Sequence, residues 1–282
     1  METKVNRGGC TMDCRIEKGI YKAVFSDIDG TLLNTSHKIP EQTKEKIMEM
    51  SGQGVPFVLV SARMPKGMKA IRDELGAKNP MICYSGALVV DGNLQPVYSV
   101  ALKKDESKKL CKSIREIVPE VSVNIYSNDC WMAENLEEYW VAQEMDITGV
   151  MAKEVSFEDE TVFEEVHKIL CMGKAEDITL LEKELQKLFP QIRIYKSKDT
   201  YLEIMSMKAS KSDAVHMLEG VFGVNQEEII SFGDGHNDID MLRYAGLGVA
   251  MGNASDEVKE ASDYVTDIND REGLRQVLDM AF

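Results

Sequence analysis

Residues 21–32 read Tyr-Lys-Ala-Val-Phe-Ser-Asp-Ile-Asp-Gly-Thr-Leu. The stretch from Tyr21 to Ser26 is apolar and rich in strand-forming residues, and it ends at Asp27. Asp27 and Asp29 are two residues apart, so both can face one pocket at a strand end. Gly30 allows a sharp turn there, and Thr31 supplies a hydroxyl beside it. In open α/β sheets ligands bind beyond the carboxyl ends of the strands, which makes this junction the first candidate site.

Working outward, a polar loop with Asn34, Ser36 and Pro40 leads to a helix over Glu41–Met50, stopping near Gly52 and Gly54. Val55–Val60 is nearly all apolar and of strand length, as suits a strand buried on both faces. A helix follows over Lys66–Leu75 with Gly76 as its stop, then a third strand over Met81–Tyr84. This alternation predicts a parallel sheet with helices on both faces. After Ser85 the pattern changes. A hairpin is expected around Asp91-Gly92, then helices over 105–118, 136–145 and 175–189, with strands at 121–126, 130–133, 167–172, 192–195 and 201–205. From Ser212 the first pattern resumes to the C-terminus. The fold class is therefore α/β: a Rossmann-like, doubly wound parallel-sheet core with an inserted α/β cap domain. The expected divisions are a tail at 1–20, core at 21–85, insert at 86–205 and core again at 206–282.

Composition narrows the function. The chain has 282 residues and a formal net charge of −15. That excess repels nucleic acid and anionic lipid, and no basic stripe with interleaved aromatics relieves it. No apolar run has the length of a membrane span, and the first residues show no secretory leader, so a cytoplasmic protein is expected. Of the six cysteines only Cys10 and Cys14 are close, and the four histidines do not cluster, so zinc is not expected and the thiols read as reduced. The pattern carries no signal for an oligomeric state.

A second acidic stretch, Gly233-Asp-Gly-His-Asn-Asp238, also falls at a strand end. Asp234 and Asp238 bring the carboxylates to four, a hard-cation set best suited to Mg²⁺. Asn237 can donate to a phosphate oxygen or fix a neighbouring loop. Ser61 directly follows the second strand and Lys211 starts a helix; both are donors suited to a phosphoryl oxygen. Each feature has a plainer reading alone: Asp-x-Asp as a solvated loop or cap, Ser61 as a turn residue, Lys211 as a surface charge, Gly-Asp-Gly as a turn. Their joint placement, at strand ends and a helix start of one sheet, favours a site.

This constellation resembles the haloacid dehalogenase superfamily, and most of all its Cof-like branch (subclass IIB), from about Tyr21 to the C-terminus. The family's Asp-x-Asp-Gly-Thr is complete at Asp27–Thr31, its hydroxyl residue matches Ser61, its lysine Lys211, and its Gly-Asp-x-x-Asn-Asp the stretch 233–238. Residues 245–254, Asn269-Asp270 and Gly273 are also typical. The resemblance implies a Mg²⁺-dependent phosphohydrolase that removes phosphate from a small phosphorylated metabolite, a sugar phosphate or similar, through an aspartyl-phosphate. Asp27 would be the nucleophile and Asp29 the acid and base. The metal set implied is Asp27, Asp29 (through its backbone carbonyl) and Asp234, with Asp238 orienting a metal-bound water. Phosphate would be bound by Gly30, Thr31, Ser61, Ala62, Lys211 and Asn237. The chain departs from the family at Ser61-Ala62-Arg63 (often Thr-Gly-Arg), at Ser85-Gly86-Ala87 (often Asn-Gly-Ala) and at Ser212 (usually Gly). These bear on substrate preference. A phosphotransferase or phosphomutase fits the same residues, and a non-catalytic binder would be expected to lack some of them.

Overall fold

The computed structural model describes residues 16–76 and 78–282, with the backbone of two short strands, β1 (Thr3–Val5) and β2 (Thr11–Asp13), which pair antiparallel. Cys10 and Cys14, and most of the expected tail, lie outside the described residues. Two compact units result. One comprises residues up to 62 with 68–95 and 210–282; the other comprises 63–67 and 96–209.

The first unit is built on β3 (Ala23–Asp27), α1 (Glu41–Gly52), β4 (Phe57–Val60), α2 (Pro65–Glu74, from its fourth residue), β5 (Met81–Cys83) and β6 (Leu88–Val90). After the insertion come α6 (Lys211–Phe222), β14 (Ile229–Gly233), α7 (Ile239–Tyr244), β15 (Leu247–Ala250), α8 (Asp256–Glu260), β16 (Tyr264–Val265) and α9 (Gly273–Ala281). The strand order is β16-β15-β14-β3-β4-β5-β6. All neighbours are parallel except β6 with β5. β3, β4, β14 and β15 are buried along their whole length, which is why they read as unbroken apolar runs rather than alternating ones. Register does the positioning. Asp27 lies beside Val60, and Ser26 beside Phe232, so the chain segments after β3, β4 and β14 emerge together at the carboxyl end of the parallel strands. The Leu88–Val90 segment, counted with the insert in the sequence reading, hydrogen-bonds to β5 and belongs to this unit.

The second unit contains β7 (Pro96–Ser99), α3 (Lys104–Ile117), β8 (Ser122–Ser127), β9 (Cys130–Ala133), α4 (Tyr139–Thr148), β10 (Lys153–Glu154), β11 (Val166–Met172), α5 (Ala175–Leu188), β12 (Ile192–Lys198) and β13 (Tyr201–Ser206). Its sheet runs β10-β9-β8-β11-β13-β12. The helical periodicity holds: α3 buries Leu110 and Ile114, α5 buries Ile178, Leu181 and Leu185, and both stripes share a core with Ile125, Ile169 and Ile204. Helix α4 starts three residues later than its sequence pattern suggests, because Asn135 accepts the Glu137 N–H in a turn first. Among the described residues no helix is long and apolar enough to cross a membrane.

This unit holds a buried histidine. The Asn128 backbone N–H donates to His167 Nδ1 (3.1 Å), so the neutral ring carries its proton on Nε2 and donates it to Ser99 Oγ (3.0 Å). Burial pushes the His167 pKa down to about 4. The unfolded chain, near 6.5, binds this proton more readily, so stability is full above about pH 6.5 and is lost as pH falls toward 4, by roughly 3 kcal/mol. His167→Gln is expected to remove this component. Urea unfolding at several pH values checks it: the wild-type and variant curves should converge as pH falls from 7.5 to 5, and parallel curves would refute the assignment.

Candidate active site

Asp27 is the last residue of β3, and the chain leaves the strand immediately after it. Ile28 is fully buried and its carbonyl accepts the Leu33 N–H (2.9 Å), closing the turn that contains Asp29, Gly30 and Thr31. Gly30 stands at φ +82°, and a Cβ there would lie 2.3 Å from Asp234 Oδ2, so only glycine lets this turn approach the acidic loop after β14. Thr31, buried, donates from Oγ1 to Asp234 Oδ1 (2.7 Å). The loop after β14 folds back on itself: Asp238 Oδ2 accepts the N–H groups of Asp234 (3.1 Å) and Gly235 (2.8 Å).

Lys211 opens α6 and is the buried cation of the site, 1% exposed. Its Nζ contacts Asp27 Oδ1 (2.7 Å) and Asp238 Oδ1. The helix start is fixed from two sides. Ser210 caps it by accepting the Asp213 N–H (3.1 Å), and Asp240 accepts from Ser210 Oγ (2.8 Å) and from the Ser212 N–H (3.2 Å).

Electrostatics follow from this packing. Burial, then the neighbouring Asp238 charge, pushes the Asp27 carboxyl well above its ordinary range, while Lys211 pulls it down. Burial raises Asp234 to about 6, opposed by the Thr31 hydrogen bond. For Lys211 burial works against the charge, but Asp238 and Asp27 outweigh it and hold the ammonium above its usual value.

Among the described residues, Asp27, Asp234 and Asp238 each offer a carboxylate oxygen within 4.8 Å of the others. This all-oxygen donor set fits a hard divalent cation such as Mg²⁺. The expected fourth carboxylate is not in the group. Asp29 is exposed, because the turn at Ile28 ends the strand alternation that would have aligned it with Asp27. Its charge still contributes to raising Asp234. Ser61 is buried directly after β4, with Ala62 half-buried beside it. Asn237 is exposed in the turn His236–Asp238, outside the buried cluster.

Three residues join the site to which the sequence reading gave no role, although Asn253 and Gly86 fall in stretches that resemble the family. Asn253, after β15, donates from Nδ2 to the Gly30 carbonyl (2.9 Å) and to Asp234 Oδ2 (3.4 Å). Its position beyond a fourth strand end was the available signal. Gly86, at φ +94°, lies so close to the Ser210 carbonyl that a Cβ would meet its oxygen at 2.1 Å. Asp240 anchors the start of α6, with no signal in the sequence pointing to it.

Comparison with known proteins places this arrangement. Residues 24–278 match the family model described as haloacid dehalogenase-like hydrolase. A Haemophilus influenzae protein named as a candidate phosphatase is 40% identical over 263 residues, covering 93% of this chain and 99% of its own. The crystal structure of a haloacid dehalogenase-like hydrolase from Bacteroides thetaiotaomicron superposes with a TM-score of 0.85 at 28% identity, covering 93% of this chain and all of that one. A haloacid dehalogenase subclass IIB sugar phosphatase superposes at 0.77 and 28% identity, covering 92% and 98%.

Proposed function

The chain belongs to the haloacid dehalogenase-like hydrolases, and we propose that it is a Mg²⁺-dependent phosphatase that cleaves a small phosphomonoester, a sugar phosphate or a similar metabolite, by way of an aspartyl-phosphate on Asp27. The observation that carries this reading is the contact of buried Lys211 with Asp27 and Asp238, beside a three-carboxylate group able to hold a cation.

A phosphomonoester is a dianion and repels an attacking carboxylate. Lys211 offsets part of that repulsion from a fixed, water-excluded position. Asp27 and Asp234 would hold the metal with Asp238 behind them, and the bound cation would supply the remaining positive charge. Asp27 attacks phosphorus in line; a P–O bond forms to its carboxylate as the ester P–O bond breaks. Ser61 donates to a phosphoryl oxygen. Asp29, exposed on the turn beyond the strand, gives its proton to the departing alkoxide and recovers one from the water that hydrolyses the acyl phosphate. Thr31 and Asn253 keep Asp234 and the Gly30 turn in place throughout.

The test is phosphate release from a panel of small phosphomonoesters with Mg²⁺ or with chelator. Metal-dependent release without an added acceptor is the expected result. Release only when an acceptor alcohol is supplied would replace the hydrolase with a transferase. In the same assay Asp29→Asn is expected to lower kcat by about 10²–10⁴, more for poor leaving groups than for nitrophenolate, because only the poor ones need the proton. Equal losses on both would remove Asp29 from the acid role.

A further inference from the structure

The segment after β5 has an unusual backbone. Tyr84 and Ser85 both stand at φ 50°, followed by Gly86 at φ 94°. Ser85, at ψ 38°, is fully in the left-handed region that non-glycine residues seldom occupy. Two contacts hold it there. Its N–H donates to the Ser61 carbonyl (2.9 Å), and Gly86 is pressed against the Ser210 carbonyl, one residue before Lys211. Ser85 is thus wedged between the two segments that present Ser61 and Lys211.

The side chain is equally unusual. Ser85 is 1% exposed, yet among the described residues no polar group reaches its Oγ. A buried hydroxyl without a partner destabilises a fold, and a left-handed serine adds backbone strain. Ser51, Ser107 and Ser231 also have unpartnered hydroxyls, but they sit in ordinary helix and strand backbone with no positive φ. At Ser85 both costs fall on one residue, lodged between the segments that carry Ser61 and Lys211. Glycine would relieve both.

We propose that Ser85 is a substrate-contacting residue whose hydroxyl donates a hydrogen bond to the phosphoryl group, alongside Ser61 and Lys211. The inference rests on the phosphatase reading of the site. It makes the Ser85 hydroxyl a donor held ready by a strained turn, satisfied only when a phosphoryl oxygen arrives.

The probe is inorganic phosphate, the group common to substrate and product. Its Kd is measured by titration calorimetry in the presence of Mg²⁺ for the wild type, Ser85→Ala and Ser85→Gly, with thermal melts of all three. Both variants are expected to bind phosphate about tenfold to a hundredfold more weakly, as for loss of a hydrogen bond to a charged group. Their melting temperatures should match or exceed the wild type's, with Ser85→Gly highest because it also relieves the positive φ. Weaker binding in a protein that is no less stable is an outcome that a purely structural serine does not produce. Phosphate affinity unchanged in both variants overturns the proposal, whatever happens to turnover. A wild type that binds no phosphate overturns it together with the phosphatase reading, whereas normal wild-type binding with unaffected variants removes only Ser85.

Discussion

Asp27→Asn is expected to abolish phosphate release, lowering kcat by roughly 10³ or more, while leaving the protein at least as stable as the wild type. The amide is nearly isosteric with the carboxylate and can keep an oxygen toward Lys211, so the packing around β3 is preserved. What disappears is the negative charge that makes the carboxylate oxygen a nucleophile toward phosphorus. Stability is expected to hold for an electrostatic reason. Asp27 is buried beside Asp238 and Asp234, and its carboxyl is raised well above the ordinary range by burial and by those charges. A carboxyl raised in the folded state costs stability as pH rises past its unfolded value, so removing it removes that cost. Lys211 keeps Asp238 as its partner. Phosphate-release assays and thermal melts at pH 7 check both halves. Retained turnover would remove Asp27 from the nucleophile's role. A collapse in melting temperature would mean that the Asp27–Lys211 pair is a structural requirement, and lost activity could then not be assigned to chemistry.

The parts of the fold legible in the sequence are those governed by local periodicity. β3 and β4 announced themselves as apolar runs because both their faces are covered, and α3 and α5 because one stripe meets a sheet. The placement of Leu88–Val90 was not legible: its apolar run fits either unit equally, and only pairing with β5 decides the matter. The site divides in the same way. Asp27, Ser61, Lys211 and Asp234 stand at strand ends or a helix start, positions that a one-dimensional pattern can mark. Asp29 was expected among four converging carboxylates, but one buried residue, Ile28, and one turn hydrogen bond set it outside the group of three. Asn253 and Asp240 act through partners more than ten residues away in sequence, on Gly30 and on the first turn of α6, and such long-range pairing leaves no periodic trace.

Lys211→Met is expected to remove activity and, unlike Asp27→Asn, to destabilise the fold. Methionine fills much of the same space, so the loss isolates the charge. Two carboxylates that now contact the ammonium, Asp27 and Asp238, would be left buried with no cation, and Asp234 stands close by. Breaking a buried pair from one side costs about 3–5 kcal/mol. The pH dependence fixes the cause. At pH 4 the carboxyls can take up protons and the missing cation matters little. As pH rises toward 7 they must ionise against one another or hold protons that the unfolded chain, near 3.8, has already released. The unfolded state then binds fewer protons than the folded one, so stability falls with rising pH, and the gap between wild type and variant widens. Added Mg²⁺ should narrow the gap at pH 7, because a divalent cation on the same carboxylates replaces the lost positive charge, and it should do so in a thermal melt with no substrate present. A gap that stays constant from pH 4 to 7 and ignores Mg²⁺ would show that Lys211 acts through packing alone, and the electrostatic account of the site would have to be given up.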